Sequence, residues 1–335
     1  MKLDFEHRSA AHCENGVTAN LLRFHGYEYS EPLVFGLSGS LFFVNLPFIK
    51  LAGFPVVSFR PLPGMIFSRV MRMLGFKTRS TIFLSKKNAV KELDNLLEKG
   101  IPAGVVVGMY YLPYMPIEYR FHFNAHNLCV IGKEEDQYIV SDPVATEIVK
   151  LSSKDMLRAR FAKGTYPPMG KLYWIQSAPK EQPDLNLLVR KAIKKNCHRM
   201  LYQPGPVPWV GVNAFHYMAK NIPKFPEKYG TRKAALYLAQ IVRMMEEIGT
   251  GGAGFRFLYA AFLQEAATIT RIDELNVFSE RMTAIGDLWR EFAACAARIY
   301  KNRSSEDVNY QYIGRFLGEI GKQETQFFRD LEKIV

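Results

Sequence analysis

The segment SAPKEQPD, residues 177–184, divides the chain more sharply than any other feature. Before it, from about residue 30, short β-branched or apolar runs alternate with helical patterns; after it, strand signals almost vanish. PVVSF (55–59), STIFL (80–84), AGVVVGM (103–109), HNLCVIG (126–132), QYIVSD (137–142) and KLYWIQS (171–177) read as strands. GMIFSRVMRMLG (64–75) and KKNAVKELDNLLEK (86–99), the latter entered from Ser85, read as helices. Beyond residue 184, apolar residues recur three and four apart in about five or six segments, the mark of amphipathic helices. A chain of 335 residues with 48% apolar content buries a full core and divides into about two domains. The expectation is an α+β domain over 1–178 and an all-helical domain over 184–335.

Four cysteines (Cys13, Cys129, Cys197, Cys295) lie far apart with no CxxC pair. That excludes a zinc knuckle or a dense disulfide framework and fits reduced thiols in the cytoplasm. The start, MKLDFEHRSAAH, has no apolar signal region, and the apolar stretch 41–57 is broken by Asn45, Pro47, Lys50, Gly53 and Pro55, so no transmembrane segment is expected. Basic residues exceed acidic ones by 12, which argues for an acidic partner or substrate. No recognisable nucleic-acid module or basic low-complexity tail accompanies that charge, so nucleic acid is not the expected partner. The glycines of GTGGAG (249–254) follow a helical pattern, RMMEEIG, rather than a strand, and no Walker lysine follows them. They read as an elbow between two helices, not a nucleotide loop.

Chemistry concentrates elsewhere. In SAAHCENGVTANLLRFHG (9–26), Val17, Leu21 and Phe24 mark one helical face and Gly26 a stop, which puts Cys13 at or just before the first turn. A thiol there faces the positive end of the helix dipole, which favours thiolate. HNLCVIG and QYIVSD flank the polar tetrad KEED and are expected to pair as an antiparallel hairpin. His126 opens the first strand and Asp142 closes the second, 16 residues later, so both reach the same sheet edge. A cysteine nucleophile, an imidazole base and an orienting carboxylate are what acyl-transfer chemistry requires, with helix amides near Cys13 to receive an oxyanion. The order Cys, His, Asp is that of papain-like folds. His122, four residues before His126, would point to the same side of a strand, so spacing alone leaves either as the base.

Residues 12–43 (HCENGVTANLLRFHGYEYSEPLVFGLSGSLFF), 122–143 (HFNAHNLCVIGKEEDQYIVSDP) and 248–267 (IGTGGAGFRFLYAAFLQEAA) together resemble the BtrH-like family, named for a butirosin-biosynthesis acyltransferase. The resemblance covers nearly the whole chain. It implies a papain-like N-terminal domain followed by a helical one, and transfer of an acyl group from an acyl carrier protein thioester to a small-molecule amine through a cysteine-bound intermediate. By matching motif, Cys13 is the nucleophile, His126 the general base and acid, and Asp142 its orienting partner. No cofactor or metal is implied beyond the phosphopantetheine that arrives on the donor. The same triad with water as acceptor would make a thioesterase, amidase or peptidase. Related bacteriocin-processing peptidases carry a glutamine six residues before the nucleophile as an oxyanion donor; here that position is His7.

Among the remaining candidates, Glu31 reads either as a carboxylate capping backbone amides or as a grip on the substrate amine. Arg256, Tyr259 and Glu265, past the glycine elbow, are candidates to approach the cleft and bind substrate, against the alternative of a core helix with satisfied polar groups. Cys129 reads as core, Cys197 and Cys295 as packing or surface residues, and His12 and His25 as structural or surface groups. Segments 23–26 (RFHG), 77–87 (KTRSTIFLSKK) and 189–199 (VRKAIKKNCHR) are candidate basic surfaces for an acidic carrier protein.

Overall fold

The computed structural model describes residues 2–51, 53–203, 205, 207–303 and 307–335. From the N-terminus come α1 (Cys13–Phe24) and α2 (Glu31–Ser38), then the strands β1 (Val44–Leu51) and β2 (Phe54–Ser58). α3 (Met65–Leu74), β3 (Lys77–Thr81), α4 (Lys86–Glu98), β4 (Ala103–Val107), β5 (His126–Glu134), β6 (Gln137–Ser141), β7 (Val149–Ser152), α5 (Ser153–Arg160) and β8 (Leu172–Ser177) follow. The remainder is helical: α6 (Leu185–Tyr202), α7 (Gly211–Asn221), α8 (Phe225–Tyr229), α9 (Thr231–Val242), α10 (Arg256–Thr270), α11 (Glu274–Tyr300) and α12 (Tyr310–Ile334).

These elements form two compact units that do not divide the sequence at one point. The first comprises Met1–Val34 and Pro63–Pro183, the second Phe35–Leu62 and Asp184–Val335. The expected division into 1–178 and 184–335 is therefore corrected: residues 35–62, which carry the β1–β2 hairpin, pack with the helices. Hydrogen bonds explain the exchange. The Asn45 N–H donates to the Trp209 carbonyl at 2.9 Å, the Gly211 N–H to the Phe43 carbonyl at 2.8 Å, and the Asn45 amide to the Tyr237 hydroxyl at 3.0 Å. Strand β1 thus finds partners for its backbone among residues 209–211, and the second unit is not all helical.

In the first unit a six-stranded antiparallel sheet runs in the order β3-β8-β4-β5-β6-β7. Every residue of β4 is buried, as its continuous apolar sequence AGVVV requires of an interior strand. Helix α4 starts at Ser85, whose hydroxyl accepts the Asn88 N–H at 3.3 Å, and buries Ala89, Leu93, Leu96 and Leu97. Leu93, Leu96 and Leu97 join Val105, Val107, Leu128, Val130 and Val140 in one core cluster. Helix α1 is buried along nearly its whole length and packs on β5 and β4.

The second unit is organised by aromatic packing. Phe43 lies against Phe59, Phe215 and Trp289 with ring centroids 5.0, 4.5 and 6.0 Å apart. The glycine elbow does link two helical segments, as expected. Gly254 (φ 55°) needs its missing side chain twice over, because a Cβ there would lie 2.2 Å from the Phe59 ring.

Candidate active site

Cys13 is the first residue of α1 and is 7% exposed. The chain enters the helix at His12 in extended conformation, and His12 Nδ1 accepts the Asn15 N–H at 3.3 Å, which satisfies one of the orphan amides of the first turn. The two residues before Cys13 are clamped by Glu31, whose Oε2 accepts the Ala11 N–H at 2.9 Å and whose Oε1 accepts the His12 N–H at 2.7 Å. Burial raises the Glu31 carboxyl above its usual range, and the two backbone N–H bonds pull it back. Of the two readings open for Glu31, amide capping is the one the geometry shows, with each oxygen on a backbone N–H. Glu14 performs a similar task one residue on, accepting the Gly64 N–H at 2.9 Å and the Ile66 N–H at 2.8 Å, which ties the start of α3 to α1.

Close approach seats α1 beside the hairpin. A Cβ on Gly16 would lie 2.5 Å from Pro143 and 2.6 Å from Ala10, and the Ala10 N–H donates to the Pro143 carbonyl at 2.7 Å. Only glycine fits where the helix meets the residue following Asp142.

The hairpin itself turns at Glu135 and Asp136, with Glu135 in the left-handed region (φ 50°) and Glu134 paired to Gln137. A bulge between Val130 and Gly132 shifts the register so that Cys129 faces Ser141. His126, 2% exposed, and Asp142, fully buried, meet at the strand ends with His126 Nε2 2.8 Å from Asp142 Oδ2. Asp142 Oδ1 accepts the Val144 N–H at 3.1 Å, and Oδ2 also accepts the Tyr114 hydroxyl at 2.8 Å. With Nε2 committed to the carboxylate, Nδ1 is the nitrogen left for the thiol, and His126 is hydrogen-bonded to Cys13. Burial works against the charged imidazole, but the Asp142 carboxylate and the Cys13 sulfur outweigh it and raise its pKa to about 10. Burial and the neighbouring Asp142 push the Tyr114 hydroxyl well above its ordinary value, so it remains a donor.

The structure thus brings Cys13, His126 and Asp142 together and leaves other candidates aside. His122 stacks on Tyr110 with ring centroids 4.3 Å apart. His7 Nε2 donates to the Ala145 carbonyl at 3.2 Å and Nδ1 accepts the Ser141 hydroxyl at 2.8 Å, so both ring nitrogens are occupied in holding the chain around Asp142. In 23–26 (RFHG), Arg23 is buried, with its guanidinium on Glu28 at 3.1 Å and on Asn20 at 2.7 Å, and burial lowers the His25 pKa; this segment is not an exposed basic surface. Burial raises the Cys129, Cys197 and Cys295 thiols.

For Arg256 and Tyr259 full burial speaks against substrate binding. Arg256 is fully buried in the second unit, forked onto Glu324 at 2.9 and 3.0 Å, donating to the Gly254 carbonyl at 2.7 Å and lying over the rings of Trp289, Phe59 and Phe215. Tyr259 is fully buried beside Phe262, and Glu265 is half-buried on the same helix. The core-helix alternative with satisfied polar groups describes Arg256; Tyr259 lies in the same core, but its buried hydroxyl has no hydrogen-bond partner among the described residues. Sequence reasoning missed Tyr114 on Asp142, Asn127, whose Nδ2 lies 3.9 Å from Cys13 Sγ, and Tyr173, whose hydroxyl donates to Asn127 Oδ1 at 2.9 Å. The signal for Asn127 is an amide directly after the candidate base, the second residue of an otherwise apolar run.

A thiol at a helix start, packed on an antiparallel sheet whose strands carry histidine and aspartate, is the papain-like arrangement of a cysteine enzyme. Among the described residues no helix is long and apolar enough to cross a membrane, and no group of three His, Cys, Asp or Glu side chains converges to hold a metal ion.

The model for the N-terminal domain of butirosin biosynthesis protein H matches residues 12–143, from the residue before Cys13 to the residue after Asp142. The model for a domain of unknown function, DUF4872, matches residues 154–331, beginning in α5 of the first unit and running into α12. No curated protein matches. Among solved structures, a C39-like peptidase from Bacillus anthracis aligns at 14% identity over 53% of this chain and 100% of its own, with a TM-score of 0.38. The peptidase domain of Streptococcus ComA, a bifunctional ABC transporter involved in a quorum-sensing pathway, aligns at 17% identity over 52% of this chain and 99% of its own, with a TM-score of 0.33. Matched over residues 12–143 and 154–331 by these two models, the chain belongs to the BtrH-like family, in which a butirosin biosynthesis protein H-type N-terminal domain is followed by a DUF4872 domain.

Proposed function

We propose that the protein is a cytoplasmic acyltransferase that moves an acyl group from the thioester of an acidic acyl carrier protein, or of coenzyme A, to a small-molecule amine. The observation that carries this reading is the buried line from Cys13 through His126 to Asp142, with His126 Nε2 on Asp142 at 2.8 Å. The Cys13 thiolate attacks the thioester carbonyl; as the tetrahedral intermediate collapses, the pantetheine sulfur leaves and takes a proton from the His126 imidazolium. The amine then attacks the Cys13 acyl thioester, His126 accepts its proton, and the amide departs as the Cys13 thiolate re-forms. Asp142 holds the imidazole and balances its charge. Phosphopantetheine comes and goes with the donor.

Transfer is favoured over hydrolysis by burial. Cys13, His126 and Asp142 are 7%, 2% and 0% exposed, and a site that excludes water spares the acyl-enzyme for the amine. The carrier is favoured by the surplus of 12 positive charges and by Lys191, Lys194 and Lys195, exposed at the three- and four-residue spacing of one face of α6. The test measures both preferences with acyl-carrier and N-acetylcysteamine thioesters in the presence of amines. Amide should exceed free acid, and added salt should depress kcat/KM for the carrier donor alone, since exposed charges are screened beyond about 8–10 Å. Free acid as the main product would make the protein a hydrolase.

A further inference from the structure

We infer that Asn127 donates a hydrogen bond to the reacting sulfur of Cys13 and holds it as the thiolate, with Tyr173 as the residue that keeps the amide in position. The inference rests on Cys13 being the nucleophile.

The geometry fixes the amide without ambiguity. Asn127 Nδ2 lies 3.1 Å from the Ala125 carbonyl, a group that can only accept, so the atom facing it is the NH2 and not the oxygen. Oδ1, on the other side, accepts the Tyr173 hydroxyl at 2.9 Å. One of the two amide hydrogens is taken by Ala125; the remaining one is directed at Cys13 Sγ, 3.9 Å from Nδ2. Asn127 is 2% exposed and Tyr173 3%, so water does not compete for either group. Burial drives the Tyr173 hydroxyl well above its ordinary range, which keeps its proton on the oxygen and its donor role intact. The sulfur therefore receives an N–H from Asn127 in addition to the His126 imidazole. A hydrogen bond to the charged form of a group favours that form, and a donor already in place when charge develops costs no reorganisation.

The experiment is the pH profile of Cys13 alkylation by iodoacetamide in the full chain without donor or acceptor, read by peptide mass spectrometry. It measures thiolate directly, so it does not depend on whether the enzyme transfers or hydrolyses; if Cys13 were not an activated thiol at all, the parent protein itself would alkylate no faster at pH 6 than Cys129. In Asn127→Leu the midpoint should move upward by roughly one pKa unit, so that the rate at a pH well below the parent midpoint falls about tenfold. Because that variant leaves the Tyr173 hydroxyl without its acceptor and can fail to fold, Tyr173→Phe provides the second reading: the amide is kept but freed, and the rate should fall about threefold in the same direction. A merely structural role would lower the melting temperature of either variant without moving the midpoint. An unchanged midpoint in folded Asn127→Leu, or in Tyr173→Phe where the first variant does not fold, overturns the assignment.

Discussion

Tyr114 and His126 share one oxygen: the tyrosine hydroxyl and the imidazole Nε2 each lie 2.8 Å from Asp142 Oδ2. The carboxylate is fully buried and has its other oxygen on the Val144 amide at 3.1 Å, so each donor takes a share of a charge that water cannot reach.

Removing the Tyr114 donor has a definite consequence. Hydrogen bonds to a charged group contribute about 1.5–3 kcal/mol, so Tyr114→Phe should lower unfolding free energy by about that amount in urea titrations. Activity should fall far less than in Asp142→Asn, because His126 keeps its partner. Equal loss of activity in the two variants would place Tyr114 in the chemistry itself.

The charged imidazole links folding to pH. The His126 pKa is about 10 in the folded protein against an ordinary value of 6.5. A raised pKa of this kind contributes stability that is fully present below about pH 6.5 and is lost as pH rises toward 10. Asp142→Asn removes the largest cause of the increase, so the stability gap between parent and variant should be widest near pH 6 and should narrow steadily up to pH 10. A gap independent of pH across this window would show that His126 is not held charged by Asp142.

His126 and His122 are separated by the same reasoning. Loss of the base of such a triad costs roughly three or more orders of magnitude in rate, so His126→Ala should approach the Cys13→Ala level. His122→Ala removes a ring stacked on Tyr110 and should stay within about tenfold of the parent in kcat/KM. The reverse ranking would move the base to His122.

How much of this was legible in the sequence depends on the range of the interaction. Cys13 at the helix start follows from local periodicity and a stop at Gly26, and His126 meeting Asp142 follows from a hairpin turn only a few residues long; both are short-range relations that spacing captures. Spacing places residues 35–62 in the wrong unit because strand β1 is completed by hydrogen bonds to residues 209–211, a pairing with no local signal. Arg256 failed for a similar reason. Its partner, Glu324, lies 68 residues away on α12, and an arginine on an apolar helix looks the same in sequence whether it faces a cleft or a buried carboxylate. Glu31 was readable as a capping group but not as a clamp on Ala11 and His12, twenty and nineteen residues back. Tyr114 and Tyr173 sit among many aromatics, and nothing in their spacing marks the hydroxyls that touch Asp142 and Asn127.

The central claim, a cysteine-bound acyl intermediate, is tested most directly by intact-protein mass spectrometry after mixing the enzyme with a panel of acyl-carrier thioesters. The account predicts that one donor adds a single acyl mass, that peptide mapping places it on Cys13, that Cys13→Ala gains none, and that an acceptor amine discharges it as the amide. Turnover of the same donor with no mass on Cys13 would contradict it, as would an acyl group carried on Cys129, Cys197 or Cys295.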